Sequence, residues 1–116
     1  RDNTVLDRTT TMLAIVPATA PREAPPARAE ALLSKGRSLF TSGDIAGARL
    51  ILERAVEVGS APAALALGET FDPAALAARG VRGMTPDVRQ ARTWYERART
   101  LGVAEADERL RRLPQQ

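Results

Sequence analysis

The stretch DIAGARLILERAVEVGSAPAALAL (residues 44–67) is answered 43 residues on by DVRQARTWYERARTLGVAEADERL (residues 87–110). Ten positions are identical without a gap. They are Asp44, Ala48, Arg49, Glu53, Arg54, Ala55, Gly59, Ala61, Ala63 and Leu67 in the first copy. In the second they are Asp87, Ala91, Arg92, Glu96, Arg97, Ala98, Gly102, Ala104, Ala106 and Leu110. Ile45/Val88 and Val58/Leu101 are conservative matches in the same register. Self-similarity at a period of about 20–50 residues marks a stacked helical array, in which each unit buries its apolar face only against the next.

Upstream of the first copy, Leu32, Leu33, Gly36, Leu39 and Phe40 recur at three- and four-residue spacing, so a helix is expected from about Ala27. Gly43 ends it, and Asp44 caps a second helix over about 45–58 whose buried stripe is Ile45, Ala48, Ile51, Leu52, Ala55 and Val56. Gly59 closes that helix. Ser60 caps a third, with Pro62 in its first turn and Leu65, Gly68 and Phe71 along it. The path from Gly68 to Asp87 is longer than that from Gly36 to Asp44, so residues at about 72–85 form an insertion. Asp72 and Pro73 open a short helix there (Ala74 to Arg79), Gly80 ends it, and Val81, Arg82 and Gly83 make a loop. Thr85 and Pro86 read as cap and first residue of a fifth helix, over about 87–101. It buries Val88, Ala91, Trp94 or Tyr95, Ala98 and Leu101. A last helix, Ala104 to Leu113, is charged on most faces and reads as a terminal cap, stopped by Pro114.

Residues 1–29 have a different character. Three threonines at 9–11 precede Met12 to Val16, an extended-chain composition, and Pro17, Pro21, Pro25 and Pro26 weigh against helix as far as about residue 26. The expectation is an extended Pro/Ala-rich arm or linker, either a tether or an arm laid against the array through Met12 to Val16. Arg1 is not an initiator, so the chain reads as a fragment or processed product of a longer protein.

Composition narrows the chemistry. The 116 residues suit one domain, and 44% apolar with only 3% aromatic content means an interior built of Ala, Leu, Val and Ile. Cysteine and histidine are absent. This removes disulfides, thiol nucleophiles, thiolate metal sites and imidazole bases, and with them the Ser–His–Asp and Cys–His triads. Asp72 and Asp87 sit in capping contexts, and Glu105, Asp107 and Glu108 open the last helix, where negative charge suits the dipole. Gly80 to Gly83 lacks the Gly-Lys-Ser/Thr ending of a phosphate loop. No catalytic residue, metal or cofactor is expected.

The net charge of +3 and pI near 10.5 come from arginine, Lys35 being the single lysine. That bias, with the abundance of alanine, resembles a GC-rich bacterial coding style. Pairs such as Arg49/Glu53 and Arg92/Glu96 read as a solvated helix face. No apolar run approaches the ~18–20 residues of a membrane span.

Each second helix thus carries the same frame: Asp, then Ala-Arg, then Leu or Tyr before Glu-Arg-Ala, then Gly, with Ala and Leu following at fixed distance. This pattern resembles Sel-like repeats, relatives of tetratricopeptide repeats. The likeness is closest from Pro86 to Leu110, where Trp94, Tyr95, Glu96, Arg97 and Ala98 fit the second-helix signature; Ile51 and Leu52 replace the aromatic pair in the first copy. It covers residues 30–114, apart from the insertion.

The resemblance implies an all-α fold of antiparallel helical hairpins stacked as a short right-handed α-solenoid. It also implies a non-enzymatic scaffold or adaptor that takes a peptide or protein segment on a concave face formed by the first helices. Aligning Gly36 with Gly68 and Leu67 with Leu110 places Arg37, Glu69 and Arg112 in one column of that face. Ser34, Ala66 and Arg109 form a second column, and Ser38 and Thr70 a third. The partner-binding candidates are therefore Ser34, Arg37, Ser38, Glu69, Thr70, Arg109 and Arg112, with Arg79, Arg82 and Met84 of the insertion as a second set. An array short of about three units needs help, expected from the arm, from self-association or from an upstream domain. The alternative is a basic helical nucleic-acid-binding domain using Arg109, Arg111 and Arg112, though the chain offers neither aromatic stacking positions on a basic face nor a groove-reading motif. The bacterial compartment, envelope or cytoplasm, stays open.

Overall fold

A computed structural model describes residues 15–81 and 83–115, with side chains from Pro26 onward. Among these residues there are six helices and no strand: α1 (Ile15–Ser42), α2 (Ile45–Glu57), α3 (Ala61–Phe71), α4 (Pro73–Ala78), α5 (Val88–Thr100) and α6 (Glu105–Arg112). Among the described residues, none of these helices is long and apolar enough to cross a membrane.

Local chemistry sets these boundaries. Asp44 accepts a hydrogen bond from the Gly47 N–H at 2.9 Å, and its counterpart Asp87 accepts from the Gln90 N–H at 3.1 Å. Each carboxylate takes one of the donors that a first helical turn leaves unpaired. Ser60 does the same for the Ala63 N–H and Asp72 for the Ala74 N–H. At the far ends, Gly59 and Gly102 hold φ of +108° and +96°. The residues after them, Ser60 and Val103, donate to the Ala55 and Ala98 carbonyls at 2.8 and 2.9 Å. This six-residue closure requires a left-handed residue at its turn, which glycine adopts without a Cβ penalty. The aspartate caps and glycine stops are thus duplicated along with the sequence, whereas the Ser60 cap of α3 has no counterpart at α6, whose N-cap Ala104 makes no side-chain bond.

Three expectations need correction. The four prolines do not keep the chain extended to residue 26, and the 1–29 boundary is no break, because α1 runs unbroken from Ile15. Pro17 falls in the first turn, where a missing N–H costs nothing. Pro21, Pro25 and Pro26 each forfeit one rung, at a cost that the helix propensity of the neighbouring alanines does not by itself offset. The remainder of the arm, residues 1–14, lies outside the described residues. Next, α5 is capped by Asp87 rather than by Thr85, and Pro86 precedes the cap. The Asp87 N–H donates to the Phe71 carbonyl at 2.9 Å, which fixes where the insertion rejoins the array. Finally, Leu101 is 48% exposed rather than buried, since it stands at the C-cap where the chain leaves the helical stripe.

Packing follows chain order: α1 lies on α2, α2 on α3, α3 on α5 and α5 on α6, while α4 stands aside against α3. The duplicated alanines Ala48, Ala55, Ala91 and Ala98 are wholly buried where the helices meet. Ile51 and Trp94 are half-buried, and the next residue of each copy, Leu52 and Tyr95, carries the core. Leu52 lies over Gly36, where an added Cβ would fall 2.5 Å from Leu52 Cδ2; the Tyr95 ring covers Gly68 in the same manner. Leu52 and Tyr95 occupy equivalent positions of the two copies, so each unit sends one large side chain into a gap left by a glycine on the helix before it.

Gly68→Ala is therefore expected to destabilise the protein by about 1–3 kcal/mol through over-packing, against at most ~1 kcal/mol of gained helix propensity. Gly36→Ala is expected to cost a similar amount: Leu52 is wholly buried and its Cγ and Cδ2 would lie within 2.6 Å of the new Cβ, so it has little more freedom to move than the tyrosine, which is tethered at its hydroxyl. Urea midpoints of the two variants check this. A Gly68→Ala variant as stable as the parent would show that the contact has room to spare.

Candidate functional site

The tether is Asp72. Its position between α3 and α4 gives its carboxylate two tasks: Oδ1 accepts from the Ala74 N–H at 2.9 Å and Oδ2 from the Tyr95 hydroxyl at 2.7 Å. Both residues are buried. Burial, and after it the hydrogen bond and charge of Asp72, push the tyrosine's ionisation well above its usual range. Next to this pair the Arg109 guanidinium of α6 donates to the Glu69 carboxylate of α3, joining two helices that are not consecutive. Burial alone would lower the Arg109 pKa, but Glu69 and the Tyr95 hydroxyl outweigh it and leave it raised.

These groups form one wall of a cleft of about 280 Å³ between α3, α4 and α6. Glu69, Asp72, Arg79, Arg109 and Arg112 line it over a floor of Ala74, Ala75 and Ala78. A second, open trough of about 790 Å³ runs along α1 past Glu30, Ser34, Arg37, Ser38, Thr41 and Ser42. Arg79 reaches back to α1: its guanidinium carbon is 4.3 Å from the centre of the ring of Phe40, which is buried.

The candidate residues fall into four groups. Ser34, Arg37 and Ser38 share the α1 trough; Glu69, Arg79, Arg109 and Arg112 share the cleft. Thr70 drops out as a contact residue, because it is fully buried, donates to the Leu67 carbonyl at 2.7 Å and accepts from Arg49. Met84 is half-buried against the core, and Arg82 lies outside the described residues. The proposed column of Arg37, Glu69 and Arg112 is divided, the first in the trough and the other two in the cleft.

The duplicated arginines are not simply a solvated face. Arg49 donates to the Thr70 carbonyl and hydroxyl, and its guanidinium lies 3.8 Å from the centre of the Phe71 ring. Burial lowers its pKa, with Asp87 opposing. Arg92, one copy later, donates to the Pro114 carbonyl at 3.0 Å. Each arginine clasps the end of the helix that follows its own. The signal was available: both flank an alanine identical in the two copies and buried in both.

Among the described residues no group of three or more acidic side chains is placed to hold a metal ion. The chain matches no family model, no curated protein and no solved structure.

Tyr95 is the single tyrosine, so its titration can be followed directly. Its folded pKa lies above the unfolded value of 10.0. The associated stability is therefore fully present below about pH 10 and is lost as pH rises further, where the unfolded chain releases a proton that the folded chain keeps. Tyrosinate absorbance should rise only together with loss of the helical circular dichroism signal; a rise at about pH 10 with the helices intact would contradict the burial. Tyr95→Phe should abolish that alkaline sensitivity. At neutral pH it should cost about 1–3 kcal/mol, since Asp72 Oδ2 is left without its donor.

Proposed function

We propose that the chain is a Sel-like, tetratricopeptide-like helical-repeat module that binds a peptide or protein segment, as a scaffold or adaptor and without catalysis of its own. The hairpin reading is supported by the short turns that join α1 to α2, α2 to α3 and α5 to α6 (residues 43–44, 58–60 and 101–104) and by packing in chain order. The non-catalytic reading is supported by how the buried polar groups are spent: Asp72 on Tyr95 and Ala74, Arg49 on Thr70, Arg109 on Glu69.

One observation carries the binding reading. Exposed polar side chains gather in two places, Ser34, Arg37 and Ser38 along α1 and Arg79 and Arg112 in the α3–α4–α6 cleft, where they are free to meet a segment. The nucleic-acid alternative loses ground in the cleft, because Arg109, one of its three arginines, is already paired with Glu69.

Affinity capture with the isolated chain tests the proposal. Arg37→Glu in the trough is expected to abolish capture of the partner, while Arg54→Glu, on the exposed side of α2, leaves it unchanged. Equal losses from both would mean that charge in general, and not this surface, holds the partner.

A further inference from the structure

The cleft between α3, α4 and α6 contains both signs of charge, but they are not equally available. Glu69 is held by Arg109. Asp72 is occupied on both oxygens and is only 5% exposed. The two carboxylates are thus answered from within the protein. Arg79 and Arg112 are exposed, and among the described residues neither has a carboxylate within ion-pairing distance. Arg79 also has a fixed neighbour: its guanidinium carbon lies 4.3 Å from the centre of the Phe40 ring. A guanidinium held over an aromatic ring still has N–H donors for a planar, two-oxygen acceptor. The floor of Ala74, Ala75 and Ala78 leaves space beside it, and about 280 Å³ is room for the end of one or two side chains.

We propose that this cleft binds the side-chain carboxylates of an acidic peptide segment, with Arg79 and Arg112 as the two anchoring groups. The inference rests on the reading of the protein as a segment-binding module and gives that segment a chemistry. Arg109 is a positioning residue here: bound to Glu69, it neutralises the one carboxylate that would otherwise repel an incoming acid. Charge complementarity selects this occupant over an apolar helix, for which the cleft has only small alanine contacts to offer.

Calorimetric titration of the full chain with hexaglutamate, acetylated and amidated so that only side-chain carboxylates remain, tests the proposal. Saturable binding at about 50 mM salt is expected, weakened at about 0.5 M, where the screening length falls to a few ångströms. Arg79→Ala and Arg112→Ala should each weaken it by about tenfold, the scale of one charge-assisted bidentate contact. Arg111→Ala, exposed on α6 but outside the cleft, should change it by less than about twofold. Hexaglutamine should fail to bind. Absence of saturable hexaglutamate binding overturns the proposal, and so does a loss in Arg111→Ala equal to that in Arg112→Ala, which would indicate diffuse attraction. If Arg37→Glu abolishes partner capture while hexaglutamate does not bind, the acidic-ligand inference falls and the interaction reading survives. If hexaglutamate binds through Arg79 and Arg112 while Arg37→Glu leaves capture intact, the inference stands and the α1 trough is removed from the interaction surface.

Discussion

A large side chain seated where a glycine has no Cβ sets the spacing of this molecule. Leu52 meets Gly36 and Tyr95 meets Gly68, and in both places the side chain sits closer to the glycine than a Cβ there would permit. The surrounding alanines, Ala48, Ala55, Ala91 and Ala98, are consequences of that approach, since helices drawn together at one point leave no volume for larger neighbours nearby. With so few aromatic residues, the chain gains its buried area by proximity rather than by bulk. A core of small residues gains little from any single contact, so the aspartate caps and glycine stops common to both copies carry a larger share of the stability.

The two copies use the same position for different ends. In the first, Leu52 only fills space. In the second, Tyr95 fills space and also donates through its hydroxyl to Asp72, the residue that caps α4. Packing of α5 on α3 is thereby coupled to the placement of the inserted helix. The insertion does not hang from the array as an independent loop. It is held at its start by Asp72, across its helix by Arg79 on Phe40, and at its return by the Asp87 N–H on the Phe71 carbonyl. The cleft is the space these three attachments leave.

What could be read in advance depended on whether a feature is local. Asp44, Ser60, Gly59 and Gly102 act on residues a few positions away, and their roles follow from the sequence. Asp72 was legible as a cap for the same reason. Its second bond was not, because Tyr95 is far along the chain and nothing local foretells which hydroxyl will reach the other oxygen. Arg49 shows the converse: the nearby Glu53 suggested a surface pair, yet the distant Thr70 carbonyl and Phe71 ring hold the guanidinium. Pro21, Pro25 and Pro26 in α1 mark a third limit, where a penalty counted residue by residue calls for a break that the helix does not have.

Duplication marks part of the scaffold, although Glu53/Glu96 and Arg54/Arg97 are shared by the two copies and exposed in both. Positions alike in both copies, among them Ala48/Ala91, Arg49/Arg92, Ala55/Ala98 and Gly59/Gly102, serve packing, clasping or turning wherever a contact is formed. The lining of the cleft is drawn from positions where the copies part company. Glu69 and Arg112 are equivalents of opposite charge, Arg109 stands where the first copy has Ala66, and Asp72 and Arg79 belong to the insertion that only one unit carries. A repeat built solely for stacking would have no physical reason to exchange an acid for a base at one position and bring both into the same recess. The exchange leaves a closed ion pair, Glu69 with Arg109, beside open cations, and that asymmetry gives the recess its preference for negative charge.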